Sequence, residues 1–280
     1  MSFEIDGFFS PELEQFRDAV RSTSPTKEWF DYALDLNRIG FDLLRSATTT
    51  PTEKAAFAIH GLFVRTHQSF QSALLLAERG LVADARAVVR AGVESTIAIY
   101  ALSSDAAFVD KLVEAHHYNQ RKAARILLDN PDYLAAYNAE AVAAMQSAVA
   151  SVDAIEKAKG TKLRDINWAD VALKYCPDLY QLMYRSLSSD GTHTTLNTLD
   201  RYMVTDLNGV ITSFKPTPDA EGLVETLSTI CLLFIWAADP FAASAGRTDV
   251  TARIKQELQR FATLPGAFPD MPLPSANVLP

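Results

Sequence analysis

The sequence predicts an all-α protein, and three observations predict it. Ser10-Pro11, Ser24-Pro25, Thr50-Pro51 and Thr217-Pro218 each pair a hydroxyl residue with proline. The hydroxyl suits a helix N-cap, and proline suits the first helical position, where a missing N–H costs nothing. Apolar residues recur at three- and four-residue spacing through most of the chain, the period of a helix face. Only Tyr202–Asp206 and Val210–Phe214, around Asn208-Gly209, read as strands with a hairpin turn. The expectation is a single bundle of about 8–11 helices with one small β-hairpin near 202–214.

The elements follow in order. A first helix is expected over Pro11–Arg21. A second, Pro25–Ser46, has a broad apolar face built on Trp29, Ala33, Leu36 and Leu43. A third starts at the capping box Thr50-Pro-Thr-Glu53 and runs to Arg79, where Gly80 closes it. Val82–Leu102 returns antiparallel. Asp105–Asp129 stops at Asn130-Pro131, and an alanine-rich helix over Pro131–Lys159 ends at Gly160. Beyond it come a short helix before Cys176-Pro177, then Pro177–Ser189, broken by Asp190-Gly191, and a further start near Thr192. Thr217-Pro218 opens an apolar helix to about Asp239, and Asp249–Ala262 is the last. No linker composition interrupts the body, so residues 1–263 read as one helical domain. Residues 264–280, rich in proline, read as an extended or disordered tail.

Composition narrows the function. The chain has 280 residues, 48% hydrophobic and 21% charged, with net charge −8. Its longest uncharged apolar run, Leu227–Ala238, falls short of the roughly 20 residues of a membrane span. The acidic start, Met1–Asp6, is unlike a secretory signal. Cys176 and Cys231 are too far apart for a CxxC site. A cytoplasmic protein without membrane contact, metal or cofactor is therefore expected.

Several constellations could carry chemistry. Arg86, Arg90 and Glu94 line one face of an otherwise apolar helix. They form either an internal ion pair or an anion site, with guanidinium donors oriented by Glu94. Lys111, Glu114, Tyr118, Arg121, Lys122 and Arg125 share a face of the next helix. That face is either a solvated helix end or a backbone contact for nucleic acid, and the acidic net charge weighs against the latter. Glu114-Ala-His-His117 resembles half of a di-metal motif, but the full site needs a second such element and two more carboxylates. His60 and His67, seven residues apart and so on one helical face, suit core or groove histidines with local hydrogen bonds. Tyr184, Arg185, Ser188, Asp190 and His193 are concentrated in ten residues. Such a group suits acid–base chemistry on a phosphoryl or acyl group, or helix capping.

The pattern Ala85-Arg-Ala-Val-Val-Arg90-Ala-Gly-Val-Glu94, His117-Tyr118-Asn-Gln-Arg121-Lys122 and Tyr184-Arg185-Ser-Leu-Ser188 with His193 resembles a family of uncharacterised bacterial helical proteins. That family is known only as a domain of unknown function, and the resemblance covers roughly residues 55–235. More loosely, the chain is similar to HEPN-type nucleases, which carry Arg, four to six residues, then His. Here seven residues separate Arg185 from His193. The nuclease resemblance implies metal-independent RNA cleavage, with His193 moving a proton and Arg185 stabilising phosphate.

Two classes of function follow. One is a non-catalytic module that binds a protein partner or small anionic ligand in a cleft lined by Arg90, Glu94, Tyr118, Arg121, Tyr184 and Ser188. The other is an RNA-cleaving enzyme whose catalytic residues are His193 and Arg185. RNA and a second copy of the chain stay among the candidate partners.

Overall fold

The computed structural model describes residues 3–47, 52–191, 199–200 and 202–267. The chain forms two compact units. The first unit combines Met1–Ser104 with Ala169–Pro280, and the second is Asp105–Trp168.

In the first unit, α1 (Phe3–Asp6) and a 3-10 turn precede α2 (Glu12–Ser22), and α3 spans Thr26–Ser46. Ser10 caps α2, because its Oγ accepts the Glu12 N–H at 3.2 Å. Ser24 plays no such part for α3, which has no side-chain cap and follows a cis Ser24-Pro25 bond. Helix α4 (Lys54–Ala77) turns back at Gly80 into α5 (Val82–Ser104). Thr50 and Pro51, the start of the expected capping box, lie outside the described residues. The next helices of this unit are α9 (Trp168–Tyr175, from Ala169 on), α10 (Pro177–Leu179) and α11 (Arg185–Gly191), with a π turn over Tyr180–Tyr184 joining the last two. The helix start near Thr192 and the tail after residue 267 also lie outside the described residues.

The hairpin is β1 (Met203–Thr205) paired antiparallel with β2 (Ile211–Phe214). Its turn is longer than the two-residue type that Asn-Gly suggested. Asp206 N–H bonds Val210 O, Gly209 N–H bonds Asp206 O, and Gly209 sits at φ +79°. This is a three-residue loop whose left-handed position favours glycine.

Helix α12 covers Leu223–Ser244 and α13 covers Thr248–Phe261. Both bounds of α12 correct the sequence reading. Pro218 does not open the helix, because residues 217–222 are held elsewhere: Asp219 N–H bonds Gly80 O, and the Asp219 carboxylate accepts the Glu221 N–H. A Cβ on Gly80 would meet Pro218 at 2.6 Å, so that contact also requires glycine. At the other end Pro240 sits inside the helix. The missing donor is tolerated in a helix that is buried along nearly its whole length. By length and composition α12 could cross a membrane, and 83% of its apolar window is buried within the fold.

The core forms where α12 packs on α3, α4, α5 and α13, while α11 packs on α5. Trp29, Tyr32, Phe63, Phe70, Phe234 and Phe241 are all buried there. Phe63 stacks on Phe241 at 4.1 Å, and Trp29 meets Phe261 edge-on at 5.2 Å. His67 is buried among these rings and bonds Asn37 at 3.0 Å.

The second unit is a helical hairpin of α6 (Phe108–Leu128) and α8 (Ala139–Lys159), with α7 (Pro131–Leu134) between them. The expected helix over Pro131–Lys159 is thus split. Asn130 caps α7 through bonds from Asp132 and Tyr133 N–H, and Asn138 caps α8 through Ala141 N–H. Two side-chain caps eight residues apart impose two starts.

Candidate functional site

Helix α5 is apolar on most sides, and its polar line meets α12 at Arg86 and α11 at Arg90. Arg86, Arg90 and Glu94 are one turn apart, so they stack along one side of the helix. The Arg90 side chain is 11% exposed and that of Glu94 30%. Arg90 Nη1 donates to Glu94 Oε1 at 2.7 Å, and its Nε donates to Ser188 Oγ at 2.9 Å. Ser188 Oγ in turn donates to Tyr184 O at 2.6 Å. The guanidinium lies over the Tyr184 ring, 3.6 Å from its centroid, a strong cation–π position. The hydrogen-bonded ion pair matches the internal pair offered by the sequence, but Glu94 is more exposed than an internal pair implies.

The π turn shapes this contact. It interrupts the helix at the residues that supply the aromatic floor, and such turns recur at functional sites. Leu179, Met183 and Leu187 bury one face of this segment. Tyr180, Tyr184 and Ser188 follow one position behind and form the polar neighbour of that face. Tyr180 stacks on Tyr184 at 5.5 Å. Burial pushes the Tyr184 phenol up, and the Arg90 charge opposes it. Tyr180, one turn before Tyr184 on the same face, is a further member of this site that the sequence reading left out. One turn earlier on α5, Arg86 has a side chain only 7% exposed and donates to Glu225 of α12 at 3.2 Å.

The other expected site residues fall as follows. Arg185 is exposed and donates to Gln181 at 3.1 Å. His193 lies outside the described residues. Tyr118 and Arg121 belong to the second unit, where Tyr118 is half-buried. There Arg121 donates to Asp153 at 3.0 Å and to Glu156 at 2.7 Å. Glu156 also accepts the Leu163 N–H at 2.7 Å. The Arg121 bond, with that amide, holds the Glu156 carboxyl down at about 2. No group of three or more His, Cys, Asp or Glu suited to a metal occurs among the described residues.

A cavity of about 390 Å³ opens beside the hairpin, lined by Asp200, Met203, Thr205, Lys215, Asp219 and Glu221. None of the Arg90 cluster lines it.

The fold and this seam define an all-α protein in which Arg90 of α5 is packed against the Tyr184–Ser188 face. Residues 56–211 match the model of DUF5677, a family of unknown function. The match covers more than half of the chain, which belongs to that family, and every site residue expected from sequence falls within it. No curated protein and no solved structure matches the chain.

Proposed function

We propose that the protein is a cytoplasmic helical binding module that takes a small anionic ligand at the α5–α11 seam, with Arg90 as its anchor. The observation that carries this reading is the preorganisation of Arg90. Its guanidinium is fixed flat on Tyr184, with Ser188 and Glu94 on two of its nitrogens. A guanidinium has five N–H donors in a planar fork, so it can meet a carboxylate or phosphate oxygen while it stays anchored. Arg86 and Arg185 add positive charge on the same two helices, and Glu94 sets the orientation. Fixing a donor before the ligand arrives reduces the ordering cost of binding.

A second reading is metal-independent RNA cleavage by Arg185 and His193. Its support is the exposure of Arg185 one residue after Tyr184.

One experiment separates the two. Thermal melts of wild type and Arg90→Gln are recorded with inorganic phosphate and with mononucleotides, and the same samples are incubated with RNA. The binding module predicts a melting temperature that rises with the anion in wild type only, and intact RNA. No rise in wild type overturns it. RNA cleavage that disappears in His193→Ala, with the melting temperature unchanged, establishes the enzyme instead.

A further inference from the structure

A second polar cluster lies in the first unit, away from Arg90. The tight turn at Gly80 sets the start of α4 beside the end of α5. Ring contacts of His60 with Phe241 (5.5 Å) and of Phe70 with Phe234 (5.0 Å) run α12 antiparallel to α4. His60, Tyr100, Ser103, Trp236 and Asp239 therefore collect at one end of the core. Each has a buried polar atom without a hydrogen-bond partner among the described residues: His60 Nδ1, Tyr100 Oη, Ser103 Oγ, Trp236 Nε1 and Asp239 Oδ1. Tyr100 is 5% exposed and Trp236 1%. Buried polar groups are normally paired, so five orphans gathered at one end require a reason.

Asp239 is the one carboxylate among them. The charged and titratable groups that act on it or on its neighbour Tyr100 come from several elements. Lys255 of α13, itself exposed, acts on Asp239 from a distance. Tyr100 of α5 feels Asp239, Cys176 and Asp178. His60 of α4 is another titratable side chain with an orphaned atom at this end. None of these forms a described hydrogen bond with the orphaned Asp239 oxygen.

We propose that this end of the core is a proton-binding site, in which Asp239 takes up a proton on folding and the fold tightens in mild acid. An ionised carboxylate only accepts hydrogen bonds, whereas a protonated one also donates. A neutral carboxyl also costs less to bury than an ionised one, so it fits a pocket with little compensating charge. Burial raises the Asp239 carboxyl above its ordinary range, with Lys255 opposing. The sign follows: the folded state binds the proton more tightly than the unfolded one. Stability is then highest below the ordinary carboxylate range and falls as pH rises through the raised folded value. His67 acts in the opposite sense, because burial lowers its imidazole. Its contribution is complete above the ordinary imidazole range and is lost as pH falls from that range through the lowered folded value.

Comparing wild type with Asp239→Asn cancels the His67 term. Melts across roughly pH 4 to 8 are expected to show Asp239→Asn melting a few degrees higher at the alkaline end, with the gap closing toward acid. A gap independent of pH, or a variant less stable throughout, overturns the proposal. Should the variant lose its cooperative melt, the Asp239 carboxyl is titrated in wild type by carbon NMR. A midpoint above the ordinary carboxylate range supports the proposal, and one within or below it refutes it.

Discussion

Arg90 on α5 and Arg121 on α6 are alike in burial, with side chains 11% and 10% exposed. They differ in what holds them. Arg121 meets two carboxylates, Asp153 and Glu156, and Arg125 joins it on Asp153. Arg90 meets one carboxylate, one hydroxyl and the face of a tyrosine. The first arrangement saturates its charge with anions from the facing helix, and so clasps a two-helix unit that has few buried apolar side chains. The second fixes the guanidinium by geometry and leaves less of its charge matched. The comparison separates an arginine matched by two carboxylates from one matched by a single carboxylate, and the proposed anion site rests on that difference.

The largest effect is expected from breaking the Arg90 pair on one side only. Glu94→Ala leaves a buried guanidinium with half its anchor gone. The loss should be about 2–3 kcal/mol, below the fully buried range because Glu94 is partly exposed. Replacing both residues, Arg90→Met with Glu94→Leu, should cost less than the single change, as measured by chemical denaturation. Equal losses would mean that solvent already compensates Arg90. Arg121→Met should lower the melting temperature by less than Glu94→Ala does, because Asp153, already 47% exposed, can turn to water and Glu156 keeps the Leu163 N–H. A smaller effect comes from acid. The Glu156 carboxyl is held at about 2 by Arg121, so its contribution is complete above the ordinary carboxylate range. It is lost as pH falls from that range toward about 2. Glu156→Gln should flatten that part of the pH–stability curve, and an unchanged curve would assign the acid sensitivity elsewhere.

The sequence made part of this legible. The i, i+4 spacing of Arg90 and Glu94 sufficed to place them as a bonded pair, since both lie on one helix. Gly80 and Gly160 ended helices where positive φ was needed, and Ser10 capped α2. Long-range contacts were not legible. Pro218 carries a helix-start signature, yet the α4–α5 turn holds Asp219 in a loop. Pro240 carries a helix-stop signature, yet core packing carries α12 through it. The division into two units left no linker, because one helical hairpin is inserted between helices of the other unit. Tyr180 has the same four-residue spacing to Tyr184 that Tyr184 has to Ser188, so the spacing offered it as well, and the ring stack itself shows only in the packed structure. Ser188 and Tyr184 were found because they sit one helical turn apart.

The most direct test of the difference between the two arginines is the melting-temperature gain on adding inorganic phosphate, measured for wild type, Arg90→Gln and Arg121→Gln. The gain should appear in wild type, persist in Arg121→Gln although that variant starts from a lower melting temperature, and vanish in Arg90→Gln. A gain retained in Arg90→Gln, or lost equally in both variants, would contradict the assignment of the anion site to Arg90.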